Sequence, residues 1–194
     1  IDAILNVKEN EQILKKYNIT KEFFILIQHP VTSEINEIKN QIKETIKALK
    51  YFDQQVLVIL PNNDAGFQKI VDELKSSNFI IVKSLNLEDY VNLLKRSALL
   101  IGNSSSGIHE TSSFNIPTIN IGTRQNGRLR PKNVIDVDYD FKEIINAINE
   151  GIKVKKSGKM FQNPYGDGNS AKRIVDILKS KNLSKDLIQK KITY

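Results

Sequence analysis

The 194 residues, 40% of them hydrophobic, are enough for one sizeable core, and we read the chain as a single domain over 1–194. With no cysteine, disulfide frameworks, thiolate metal sites and cysteine nucleophiles are excluded, which suits a reducing compartment. Lys+Arg number 29 against 22 Asp+Glu, and the net charge of +7 favours an anionic partner without choosing one.

The first continuous apolar run is "FFILIQ", Phe23 to Gln28, of the kind that buried parallel strands show. A helix is predicted from Ser33 to Lys50, where Ile35, Ile38, Ile42, Ile46 and Leu49 form one apolar stripe. Acids and amides interleave with its lysines, so the charge here reads as a solvated face and not as a phosphate-tracking stripe. Strands follow at Gln55 to Leu60 and Phe79 to Val82, with a helix between them from Asp64 to Ser76. The helix Leu87 to Arg96 leads to the strand Ala98 to Gly102 and the helix Ser105 to Asn115. Further strands are expected at Pro117 to Gly122 and Asn133 to Val137, and a helix from Asp140 to Ile148. Glu150 to Ser170 mixes basic residues with turn formers and reads as a long connection before helices at Ser170 to Lys179 and Ser184 to Lys191. Strand and helix in alternation predict an α/β domain, with a parallel sheet and helices on both faces. No run approaches the ~20 apolar residues of a membrane span, and the N-terminus lacks the marks of a signal peptide, so a soluble cytoplasmic protein is expected.

Ligands of open parallel sheets bind beyond the carboxyl ends of the strands, and the unusual polar stretches of this sequence follow strands. In "LLIGNSSSGIHE", three serines and Gly107 lie where a strand passes into a helix, and unpaired N–H groups with small hydroxyls there suit a diphosphate. Glu110 lies far enough along to offer a carboxylate to a ribose diol, although a helix cap by Ser104 or Ser105 would explain one serine without any ligand. "QHPVTSE" places His29 at the end of the first strand, beside a proline that stops the ladder, where an imidazole can contact phosphate or move a proton. "GTRQNGRLRP" carries Arg124, Arg128 and Arg130 in a glycine-containing loop, and Arg124, nearest the strand, is the first candidate for a phosphate.

"QHPVT", "GNSSSGIHE", "PTINIGTRQNGR" and "NPYGDGN" occur in an order and spacing that resembles the hydrolysing UDP-N-acetylglucosamine 2-epimerases of sialic-acid biosynthesis, over nearly the whole chain. The resemblance implies one half of a glycosyltransferase-B-like fold, in which two Rossmann-like domains face each other across a cleft. This chain looks like the C-terminal, UDP-binding half. Carried over motif by motif, the serines at Ser104 and Ser105 would contact the diphosphate, with Gly107 in the same loop, Glu110 the ribose and Arg124 the phosphates; His29 would belong to the catalytic cleft. The implied reaction eliminates UDP from UDP-GlcNAc and adds water to the resulting glycal, giving N-acetylmannosamine, with no metal or redox cofactor. His109 stands where some members are expected to carry a cation such as Arg. The family's proton-transferring acids are expected in an N-terminal domain that precedes this sequence, and the full-length enzyme is expected to be a homo-oligomer. UDP-linked diacetamido sugars are an alternative substrate, and a glycosyltransferase half or a non-catalytic UDP-sugar binder are alternative roles. Aromatic residues make up only 7%, so a nucleic-acid-stacking surface is not expected.

Overall fold

The computed structural model describes residues 1–181. Six strands form one parallel sheet: β1 Phe23–Ile27, β2 Gln55–Ile59, β3 Ile80–Val82, β4 Leu99–Gly102, β5 Thr118–Ile121 and β6 Val134–Val137. Their order across the sheet is β3-β2-β1-β4-β5-β6, so the direction of winding reverses between β1 and β4. Alternation along each strand divides the apolar side chains between two cores. Phe24, Leu26, Val56, Val58, Leu99, Ile101 and Ile119 lie in one, while Phe23, Ile25, Ile27, Leu57 and Leu100 lie in the other. Because both faces are covered, each of the central strands reads as an unbroken apolar run.

Helices α3 Ile38–Leu49, α4 Phe67–Lys75 and α7 Phe141–Lys156 cover the first face. On the second lie α2 Ile13–Lys16 and α5 Leu87–Arg96. Asn86 Oδ1 caps α5 by accepting from the Asp89 N–H at 2.7 Å. Asp89 itself is buried against α2, where its carboxylate accepts from Lys16 Nζ at 2.6 Å and the Tyr17 hydroxyl at 2.7 Å. The Lys16 hydrogen bond, and after it that of Tyr17 and the Lys16 charge, hold the Asp89 carboxyl below the usual carboxylate range against the opposing effect of burial.

Several boundaries differ from the sequence reading. Ser33 to Glu37 is not α-helix: a 3-10 turn spans Thr32–Glu34, and α3 begins at Ile38, the first residue of the stripe that reaches the core. The expected helix from Ser105 to Asn115 is split into α6 Ser106–His109 and a 3-10 turn at Thr111–Phe114. Its cause is Thr111, whose hydroxyl donates to Gly107 O and accepts from both Thr118 Oγ1 and Asn133 Nδ2. The chain then turns through Asn115 at φ 54°. Glu150 to Lys156 proves to be the last two turns of α7, not a connection. Gly151 permits this, because a Cβ there would lie 2.9 Å from the Leu99 side chain. Two short N-terminal helices, α1 Asp2–Leu5 and α2, had no sequence signal. The last described helix, α8 Ser170–Ser180, agrees with expectation, and its first turn is tied back to α1 by the Ala171 N–H, which donates to Asp2 Oδ2 at 2.8 Å. The expected helix Ser184 to Lys191 lies outside the described residues. No described helix is long and apolar enough to cross a membrane.

Candidate functional site

The loops after β1, β4 and β5 meet at the reversal point of the sheet, where polar side chains can converge beyond the strand ends. β4 ends in Gly102 at φ +121°, and a Cβ at that position would stand 2.1 Å from Ile27 O of β1. Only glycine allows this backbone approach. It lets the Asn103 N–H donate to Ile27 O at 3.0 Å and turns the chain into the serine loop.

Asn103 is fully buried and joins all three loops. Its Oδ1 accepts from the His29 N–H at 2.6 Å, and its Nδ2 donates to His29 O at 2.9 Å. Its own carbonyl accepts from Arg124 Nη1 at 3.2 Å and from the buried Gln125 Nε2 at 2.7 Å. Neither Asn103 nor Gln125 stood out in the sequence, where an Asn between glycine and serine looks like any turn residue.

The three serines have separate surroundings. Ser104 Oγ accepts from the Ser106 N–H at 3.3 Å, Ser105 makes no side-chain cap, and Ser106 turns inward to the Tyr90 hydroxyl and donates to Glu110 Oε2 at 2.9 Å. Among the described residues the N–H groups of Ser104 and Ser105 donate to nothing. Gly107 faces the other way. Its N–H donates to Ser104 O, and a Cβ would fall 2.6 Å from Thr118 Cγ2, so its part in the loop is to let α6 lie close against β5.

His29 is held at its ring as well as its backbone, for the Asn62 N–H donates to Nδ1 at 3.2 Å. A ring accepting at Nδ1 carries its proton on Nε2 when neutral. Burial, and next the positive charge of Arg124, push the imidazole down to about 4, while Asp64 opposes them. His29 is therefore neutral at physiological pH. A recess of about 430 Å³ lies beside it, lined by Pro30, Val31, Thr32, Ser33, Asp64, Thr123 and Arg124. Asp64, expected only as the start of a helix, thus faces the candidate site.

At the outer edge, Arg128 donates to His109 Nε2 at 3.0 Å, and the His109 ring lies 4.4 Å from that of Tyr165. Burial and then Arg128 lower the His109 imidazole. Asn163 Nδ2 donates to His109 O and Ser113 Oγ, so the "NPYGDGN" segment is fastened over the end of α6. Arg130 is engaged with Asp136 at 3.0 Å and with the carbonyls of Gln125 and Arg128. Of the three arginines, Arg124 is the one beside the recess.

The low His29 value has a consequence for stability. The unfolded imidazole takes up its proton near pH 6.5 and the folded one only near 4, so this contribution is full above 6.5 and falls away as pH drops toward 4. Chemical denaturation at pH 7.5 and 5 is expected to show a larger loss of stability in the unsubstituted chain than in His29→Gln. Equal losses would mean that His29 titrates normally.

A family model described as UDP-N-acetylglucosamine 2-epimerase matches residues 1–179. The chain belongs to that epimerase family. Among curated relatives, the UDP-N,N'-diacetylbacillosamine 2-epimerase (hydrolyzing) of Legionella pneumophila is 34% identical over 174 residues, 88% of this chain and 46% of that protein. The UDP-N-acetylglucosamine 2-epimerase of Neisseria meningitidis is 35% identical over 150 residues, 75% of this chain and 40% of that protein. The chain thus spans less than half the length of either relative. A crystal structure of UDP-GlcNAc 2-epimerase from Neisseria meningitidis bound to UDP-GlcNAc superposes with a TM-score of 0.70 at 20% identity, over 88% of this chain and 49% of that one. It shares the α/β, Rossmann-like architecture of this epimerase-family chain.

Proposed function

We propose that the chain is the UDP-holding half of a hydrolysing UDP-N-acetylglucosamine 2-epimerase with a two-domain, glycosyltransferase-B-like fold. The observation that carries this reading is the convergence, at the β1/β4 reversal, of serine-loop N–H groups that donate to nothing among the described residues, of Arg124 and of a neutral imidazole. The N–H groups of Ser104 and Ser105, their hydroxyls and Arg124 supply donors for a diphosphate without requiring a metal. Glu110 keeps carboxylate lone pairs beyond its Ser106 bond and accepts from the ribose hydroxyls.

In the elimination, the bond from the anomeric carbon to the UDP oxygen breaks as a base takes the proton from the adjacent carbon, and water then adds to the glycal. His29, neutral with its proton on Nε2, is suited to giving a hydrogen bond to the charge that builds on the leaving phosphate oxygen while keeping its proton. The base and the group that activates water come from a second domain, in a cleft closed to bulk solvent. We place the enzyme in the cytoplasm, where UDP-sugars serve sialic-acid-type synthesis. A UDP-linked diacetamido sugar is the second reading for the substrate, favoured by the name of the Legionella relative.

Titration calorimetry of this chain with UDP is expected to show binding, whereas incubation with UDP-GlcNAc releases no free N-acetylmannosamine. Clear product from this chain alone would overturn the division of labour, and absence of UDP binding would overturn the reading itself. Ser104→Ala and Ser105→Ala are each expected to cost about 1 to 2 kcal/mol of UDP affinity. Unchanged affinity in both would remove the loop from the site.

A further inference from the structure

We propose that Asn103 is a positioning residue: its side chain takes the place of β4 backbone beside His29, which fixes the imidazole-bearing loop and leaves the Ser105 amide, the regular partner of His29 O, for an anion. The inference rests on the reading of this site as a UDP site for its ligand, but its geometry does not depend on which ligand binds.

The ladder between β1 and β4 pairs Ile27 with Gly102 and ends there. In a regular parallel pair, the His29 N–H and C=O would be the next groups on β1 to bond to the backbone of β4. The Gly102 turn carries that backbone away, and Asn103 fills the vacancy with one acceptor and one donor, at 2.6 and 2.9 Å. A primary amide is the side-chain group that offers both with the geometry of a peptide. Aspartate lacks the donor and serine lacks the reach. A regular continuation would have committed the Ser105 N–H to His29 O and turned the Ser104 N–H toward β5, whereas here both donate to nothing among the described residues. The same residue accepts from Arg124 through its carbonyl, so the cation, the free amides and the imidazole are referred to one buried group. An anion settling on Arg124 and the serine amides is thereby held in a set relation to His29.

The charged groups that face His29 are Arg124 and Asp64, and both are kept in every variant. The experiment is NMR of histidine-labelled chain without ligand, with His29 distinguished from the one other histidine by His109→Gln. Asn103→Ala is expected to move the His29 titration midpoint up by about one unit or more and to mix its ring tautomers, as the ring leaves its buried position. UDP affinity is expected to fall about tenfold or more, because anion donors lose their fixed placement. A folded Asn103→Ala chain whose His29 midpoint and tautomer match those of the unsubstituted chain would overturn the proposal. Should Asn103→Ala fail to fold, the decision passes to the unsubstituted chain. There the His29 amide, beyond the last ladder pair, is expected to exchange with solvent as slowly as the β1 amides, and exchange at an unprotected rate would overturn the proposal. If the unsubstituted chain fails to bind UDP, the reading of the ligand falls, and these ligand-free measurements still decide the role of Asn103.

Discussion

Gly102→Ala is expected to lower the stability of the chain by about 3 kcal/mol or more and to abolish UDP binding in whatever fraction still folds. The methyl group would meet Ile27 O at 2.1 Å, and the position is at φ +121°. Neither backbone can yield cheaply, because β1 and β4 are the central pair of the sheet and both are buried on two faces. Separating them also breaks the Asn103 bond to Ile27 and both bonds to His29. Urea denaturation followed by circular dichroism measures the first effect, and calorimetry at low temperature the second. A variant with unchanged midpoint would show that the turn after β4 differs from the one described.

Arg124→Ala is expected to weaken UDP about thirtyfold, near 2 kcal/mol, the scale for losing a charge-assisted hydrogen bond to a phosphate oxygen. Uridine, which has the base and ribose but no phosphate, is the control, and its affinity is expected to change little. The same substitution removes a positive charge that holds the His29 imidazole down, so the His29 titration is expected to move upward in the free protein. Two effects from one side chain make the test strict. Equal losses for UDP and uridine would assign Arg124 to the fold of its loop, and an unmoved His29 would place the guanidinium elsewhere.

The strands were legible because their burial on both faces leaves no polar interruption, as in Phe23 to Ile27, all five of which are buried. The place of the serine loop at the carboxyl edge of the sheet followed from strands being succeeded by unusual polar runs, whereas the strand order, and with it the reversal between β1 and β4, had no local signal. Less could be read where a residue's meaning depends on a distant partner. Asn103 acts on His29, 74 residues away, and Gly151 fits against Leu99 of a central strand. In the sequence, the first looks like a turn and the second like a helix stop. In the sequence Ser106 reads like its neighbours as a possible ligand donor, yet its commitment to Tyr90 and Glu110 depends on how α5 packs beside α6. Helix α6 could not have been given its length from local pattern, since Thr111 ends it through contacts to β5 and to the residue before β6.

The winding of the sheet also sets an expected order of events during refolding, through the sequence separation of its strands. Strands β1, β2 and β3 form one half of the sheet and β4, β5 and β6 the other, and the site exists only after the two halves zip along the β1–β4 seam. That seam joins stretches more than seventy residues apart, and closing so long a loop is slow compared with pairing within either half. Until it closes, β1 offers a bare edge of five apolar residues to any neighbouring chain. Substitutions at the seam are therefore expected to reduce the yield of native protein through the rate of closure as well as through the stability of the product.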